Sequence, residues 1–171
     1  VVNNAKDHGN TIADASSITA IRTSAVSGLA TRLLAREDAH ELALLGAGVL
    51  AIPHIEAVRC VRDIRRVRVW SRSGDRATEL AARARKRFDV EIVVASSARA
   101  AVDGADVVCT ITSARTPVLE GAWLASGAHV NAVGASLPTA RELDTAAVVR
   151  SRLFVDRRES ALRDRKGSCR E

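Results

Sequence analysis

Glu41-Leu42-Ala43-Leu44-Leu45-Gly46-Ala47-Gly48-Val49-Leu50-Ala51 carries the clearest structural instruction in this chain. A short apolar run breaks into G-x-G-x-x-A, and about twenty residues further on Arg66-Val67-Arg68-Val69-Trp70 reads as a second short strand. The first glycine permits a tight strand-to-helix turn, and the second lets backbone approach a pyrophosphate. Ala51, the small third residue, allows close packing of helix on sheet. N–H groups at the start of the helix meet the negative charge. Gly46, Ala47, Gly48 and Val49 are therefore expected to hold a dinucleotide. Pro53 falls in the first helical turn, where a missing N–H costs little.

Outward from this turn the pattern alternates. Upstream, Val1 to about Ser16 reads as a strand or hairpin edge, with Asp7-His8-Gly9-Asn10 as turn chemistry. A helix is expected from Ser17, its N-cap, to Arg36, with Ile18, Ile21, Ala25, Leu29 and Leu33 on one apolar face. Strands follow at about Ala39–Leu45, Arg66–Trp70, Val90–Val94, Ala105–Thr110, His129–Val133 and Leu153–Val155. Helices are placed from the glycine turn to about Cys60, from Asp75, read as its cap, to about Arg87, near Ser97–Val102 and near Ala140–Arg150. Residues 114–128 read as an irregular connection. Repeated strand–helix units imply an α/β fold: a Rossmann-type, doubly wound, mostly parallel sheet.

The end of the second strand sets the cofactor. A chain selecting NAD usually places a carboxylate there for the ribose hydroxyls. This one has Ser71-Arg72-Ser73, with Arg76 just beyond. An arginine and two hydroxyls suit a 2′-phosphate that a carboxylate would repel. NADP(H) is thus preferred over NAD(H), the alternative being a surface Arg72 beside a tolerant NAD site.

Ligands in such sheets lie over the carboxyl ends of the strands. Thr110, Thr112 and Ser113 follow one buried strand, and Val133, Gly134 and Ala135 follow another. Small and hydroxylated residues there suit a flat nicotinamide ring close to backbone, although ordinary loop chemistry uses the same residues. Arg22 sits beside the apolar stripe of the first helix. It could bind a carboxylate bidentately, or merely snorkel. Asp106, Glu142 and Asp144 each read as caps or turn residues.

The 171 residues suffice for one ordinary domain with an appended segment. They contain no methionine, even at position 1, so the chain reads as a piece of a longer product. No apolar run is long enough for a membrane span, and no membrane partner is expected. Cys60, Cys109 and Cys169 are scattered without C-x-x-C, as in a cytoplasmic protein with reduced thiols. The four histidines show no ligand spacing, and no metal is expected. Within the formal charge of +6, Arg62, Arg65, Arg66, Arg68, Arg72 and Arg76 gather around one strand. A nucleic-acid groove is one reading. A solvated arginine-rich surface is preferred, because stacking aromatics and nucleic-acid motifs are missing.

Read together, these segments resemble the ornithine cyclodeaminase/mu-crystallin family. The matching pieces are Thr19-Ala20-Ile21-Arg22-Thr23-Ser24-Ala25, Gly46-Ala47-Gly48-Val49 with His54-Ile55-Glu56-Ala57, and Val67-Arg68-Val69-Trp70-Ser71-Arg72. Ala105-Asp106-Val107-Val108, Thr116-Pro117-Val118-Leu119 and the long His129–Ser136 run also match, with Pro138 and Arg141-Glu142-Leu143-Asp144 behind it. The resemblance implies a homodimeric nicotinamide-dependent enzyme acting on amino acids or cyclic imines. It also implies that Arg22 lies near the substrate carboxylate and Thr23 near the cofactor.

In the cyclodeaminases an aspartate in the segment matching Gly134–Pro138 is the catalytic acid/base; here Ser136 takes that position. The resemblance therefore points to imine or ketimine reduction over ornithine cyclisation with ammonia loss, with a non-catalytic nucleotide-binding protein as a further alternative. Leu50 stands where the family commonly has glutamine. Family members are nearly twice as long, their N-terminal part supplying dimer interface and further substrate-binding cations. On this reading residues 1–37 are a remnant of a substrate and dimerisation domain, 38–156 the dinucleotide-binding domain, and 157–171 a poorly patterned tail. The first helix is then expected to leave apolar surface uncovered.

Overall fold

A computed structural model of the chain describes residues 2–3, 10–11, 15–135 and 140–155. β1 (Val2–Asn3) pairs antiparallel with β2 (Asn10–Thr11). The expected turn at Asp7, His8 and Gly9 lies outside the described residues, and Asn10 opens β2. There follow α1 (Ala15–Leu34), β3 (Glu41–Leu45), α2 (Ala51–Arg59), β4 (Arg66–Trp70) and α3 (Gly74–Arg87). The chain continues through β5 (Glu91–Val94), α4 (Ala98–Val102), β6 (Val107–Thr110), β7 (His129–Ala132) and α5 (Thr145–Val149). A single 3-10 turn, Gly121–Trp123, interrupts the long connection before β7.

β3 to β7 form one parallel sheet in the order β5-β4-β3-β6-β7. The chain steps outward from β3 to β5, then returns to the other side of β3 as β6. The reversal opens a crevice at the carboxyl ends of β3 and β6, and this is the doubly wound Rossmann-type arrangement. Strand side chains alternate between two apolar layers. Leu42, Leu44, Val67, Val69, Val107 and Cys109 pack on α2 and α3, while Ala43, Leu45 and Val108 pack on α4 and Leu119. Both faces are covered, which is why β3 and β6 read as unbroken apolar runs. Each large side chain so buried contributes about 1.5–3 kcal/mol. No helix among the described residues is long and apolar enough to cross a membrane.

Several elements depart from the expected pattern. α1 starts at Ala15, so Ser17 lies inside the helix and is not its cap. The apolar stripe expected to face the core is turned outward: Ile21 and Leu33 are each 68% exposed, and Ile18, Ala25 and Leu29 are exposed too. The buried seam is Ser24, Ser27, Gly28, Thr31 and Ala35. Small residues win because α1 lies close against α2: a Cβ added at Gly28 would sit 3.2 Å from the Ala57 Cβ. The hydroxyls of Ser24 and Thr31 are satisfied within the helix, Ser24 donating to Ala20 O and Thr31 to Ser27 O.

Asp75 does not cap α3. Ser73 holds the cap position without a side-chain capping bond, and Asp75 sits in the first turn, where its charge favours the helix dipole. The helix near Ala140–Arg150 shortens to α5 because Asp144 Oδ1 accepts from Ala147 N at 2.7 Å and caps it there. Leu153, Phe154 and Val155 are exposed and form no strand, so β7 remains the sheet edge among the described residues.

Candidate functional site

Strand register brings four segments to one edge of the sheet. Leu45 is level with Trp70 and Thr110, and Thr110 with Ala132. Gly46–Val49, Ser71–Ser73, Thr112–Ser113 and Val133–Ala135 therefore all leave the carboxyl ends of neighbouring strands.

The glycine turn is built for close approach. Gly46 has φ +124, a region that favours glycine, and an added Cβ would lie 2.8 Å from Ile111 O. Its N–H donates to Trp70 O at 2.8 Å, tying the turn to β4. Gly48 is exposed, and a Cβ added there would meet nothing within 4 Å. Val49 is 78% exposed. The amides of Ala47, Gly48, Val49 and Leu50 have no acceptor among the described residues. An open row of N–H donors at the start of a nine-residue helix fits a pyrophosphate. Leu50, at the cap position, makes no side-chain capping bond that would compete.

The arginine cluster separates into two groups. Arg62 donates to the carbonyls of Arg32, Ala35 and Arg36 and so caps the end of α1. Arg66 pairs with Glu91 at 2.7 Å, Arg68 with Glu41 at 3.3 Å, and Arg87 with Glu56 at 2.7 Å. Arg72 and Arg76 are exposed, and their side chains make no ion pair or hydrogen bond among the described residues. Ser71 is half-buried and Ser73 exposed beside them. Two uncommitted cations at the end of β4 could hold an anion there.

The loops after β6 and β7 hold a group that sequence reasoning placed in a different role. Glu142 is 1% exposed, and it is no mere turn residue. Its Oε1 accepts from Thr112 N at 2.6 Å and Thr112 Oγ1 at 2.7 Å. Oε2 accepts from Gly134 N at 2.6 Å and Thr110 Oγ1 at 2.7 Å. Thr110 is fully buried with its hydroxyl on Glu142, so its side chain is a support of the site and not a ligand contact. Ser113 and Ala135 are exposed, and Thr112, Val133 and Gly134 half-buried. Ser136 lies outside the described residues. No local pattern marks Glu142, because its partners lie 8 to 32 residues away.

Asp106 and Asp144 are structural, as their sequence context implies. Burial pushes the Asp106 carboxyl up, but the N–H groups of His40 and Glu41 and the Arg36 guanidinium outweigh it and hold it below the usual range. Burial pushes the Cys109 thiol up to about 12, against a weaker pull from Asn131, and leaves it unreactive.

Arg22 and Thr23 belong to a different layer. Arg36, just past α1, reaches Asp106 at the amino edge of the sheet, and Thr31 Oγ1 accepts from Asn131 Nδ2 of β7 at 2.9 Å. The N-terminal half of α1 therefore rises toward the carboxyl edge. Arg22 is exposed there without an ion pair among the described residues, and Thr23 is half-buried.

The sequence model of the ornithine cyclodeaminase/mu-crystallin family matches residues 5–167. The ketimine reductase mu-crystallin of Mus musculus is 42% identical over 153 residues, covering 90% of this chain and 48% of its own length. The structure of Thermococcus litoralis Δ1-pyrroline-2-carboxylate reductase in complex with NADH and L-proline matches with TM-score 0.83 and 40% identity, over 85% of this chain and 45% of that one. An archaeal alanine dehydrogenase dimer with bound NAD gives TM-score 0.85 and 30% identity, over 97% and 54%. The chain spans about half the length of the curated relatives it matches.

Proposed function

This chain belongs to the ornithine cyclodeaminase/mu-crystallin family, and from that premise we propose that it is the cofactor-binding part of an NAD(P)H-dependent oxidoreductase that reduces an imine or ketimine of an amino acid. The observation that carries the reading is the open amide row at Ala47–Leu50, set at the crevice where the strand order reverses.

The bound dihydronicotinamide would supply the hydride that adds to the carbon of a C=N bond. The protein contributes position and charge. Gly46, Ala47, Gly48 and Val49 hold the pyrophosphate. Arg72 and Arg76, with the hydroxyls of Ser71 and Ser73, hold a 2′-phosphate, which makes NADP(H) the preferred cofactor and NAD(H) the weaker one. Thr112, Ser113, Val133, Gly134 and Ala135 receive the nicotinamide end, with Thr23 beside it. Arg22 orients the substrate carboxylate.

Ser136 stands where the cyclodeaminases carry their aspartate. A hydroxyl exchanges protons far less readily than a carboxylate, which favours reduction over deaminating cyclisation. The reductase names of the similar mouse and Thermococcus proteins support this choice, and the alanine dehydrogenase dimer supports a homodimer. Free Cys60 and Cys109 support a reducing, cytoplasmic location.

The test is an assay with a cyclic ketimine carboxylate and with L-ornithine. NADPH consumption with the ketimine and no ammonia from ornithine is the expected result. Ammonia release without net NADPH use would replace the reductase by a cyclodeaminase. Tight NADPH binding with neither reaction would leave a nucleotide-binding protein.

A further inference from the structure

We infer that Glu142 is a positioning residue for the nicotinamide end of the site: its single carboxylate locks the loop after β6 to the loop after β7. The inference rests on the dinucleotide reading above and adds to it a buried residue that touches neither cofactor nor substrate.

Strand pairing between β6 and β7 ends at Thr110 and Ala132. Beyond that point, Thr110 O accepts from Val133 N at 2.9 Å and Gly134 N at 3.2 Å. The remaining join is made by Glu142, whose two oxygens each accept two donors, one pair from Thr112 and the other from Thr110 and Gly134. A carboxylate offers about four acceptor positions, and this one uses them all. An acceptor-only group is what two converging backbone N–H groups require.

The residue that bears the carboxylate is itself anchored through its main chain. Glu142 O accepts from Val118 N at 2.8 Å and Leu119 N at 2.9 Å, and Leu143 bridges Leu119. The two loops also touch directly, since a Cβ at Gly134 would lie 1.9 Å from Thr112 O. On the other flank, Gly46 lies against Ile111 O. The floor across β3, β6 and β7 is thus continuous backbone. A flat ring packing on such a floor depends on the relative height of its two outer loops, and Glu142 sets that height.

Glu142→Gln keeps the shape but replaces one oxygen by an NH2 that must face a donor. Thr110→Val removes one bond to the carboxylate at a fully buried position that no ligand can touch. Both variants of the full 171-residue chain are titrated with NADPH, reading its emission, and by calorimetry with adenosine 2′,5′-bisphosphate, which lacks the nicotinamide.

The expected result for Glu142→Gln is a roughly tenfold loss of NADPH affinity, the effect of one charge-assisted hydrogen bond, with affinity for the bisphosphate unchanged. Thr110→Val is expected to show a smaller loss of the same selective kind, and it decides the matter alone if Glu142→Gln does not fold. Unchanged NADPH affinity and emission in both variants would overturn the inference. Equal losses for the two ligands would also overturn it, reducing Glu142 to a fold residue. Failure of the unmodified chain to bind either ligand would remove the dinucleotide reading itself, and the inference with it.

Discussion

Ser27 Oγ lies 3.2 Å from His54 Nε2, inside the seam between α1 and α2. His54 Nδ1 is 2.7 Å from Leu50 O, a group that can only accept, so the ring proton sits on Nδ1 and Nε2 accepts from the serine. The fully buried imidazole thereby ties α1 to the first residues after the glycine turn.

That arrangement makes stability depend on pH. Burial lowers the pKa of His54, against a weaker pull from the Leu50 carbonyl, and burial likewise lowers His129. Both rings take up a proton at lower pH in the fold than in the unfolded chain, where the ordinary value is 6.5, so the unfolded chain binds more protons below that value. Stability is expected to be full above about 6.5 and to fall as pH drops from there through the lowered folded values. Thermal melts between pH 8 and pH 5 check this, and a flat profile across that range would refute it.

Gly46 and Gly48 should separate folding from binding. Gly46→Ala forces a side chain into positive φ and against Ile111 O. A loss of about 1–3 kcal/mol in denaturant unfolding is expected. Gly48→Ala meets no protein atom within 4 Å. It is expected to melt like the parent yet to lose about tenfold or more in NADPH affinity, because its methyl occupies the approach of the pyrophosphate. Normal binding by Gly48→Ala would count against the turn as the phosphate site.

Arg72→Glu is expected to lower the ratio of NADPH to NADH affinity by about tenfold or more. The change replaces an uncommitted cation by an anion and breaks no side-chain hydrogen bond or ion pair among the described residues. Fluorescence titration with both nucleotides measures the ratio. If it stays constant, the selection of the 2′-phosphate lies elsewhere.

Removing Arg62 should loosen α1 from the sheet. Its guanidinium serves three carbonyls at the end of that helix. Arg62→Ala is expected to cost about 1–3 kcal/mol, since charge-assisted bonds are lost and carbonyls are left unserved. Urea denaturation measures it, and a change under about 0.5 kcal/mol, the size of an ordinary surface substitution, would refute the capping role.

Ile21→Glu and Leu33→Glu should leave unfolding free energy within about 0.5 kcal/mol of the parent, both residues being 68% exposed. They should also reduce self-association in light scattering, because the outward stripe of α1 is interrupted. A large destabilisation by either change would mean that this face is packed in solution.

The alternating sheet and the glycine turn were legible in the order of residues, because both follow from local rules. An apolar run buried on two faces, a glycine where φ must be positive, and a helix start with open amides are each written within a few neighbouring positions. The direction faced by α1 was not legible in this way. Its pattern offered a strong apolar stripe, yet close approach to α2 selected the weaker seam of Ser24, Ser27, Gly28 and Thr31. Likewise, Ser71–Arg72–Ser73 could be read as an anion site from residue type, but which arginines are free and which brace the sheet depended on partners far along the chain. Glu142 belongs with these. A carboxylate acquires its role only when the fold delivers four donors from separate loops to its two oxygens, and no spacing along one strand or helix encodes that convergence.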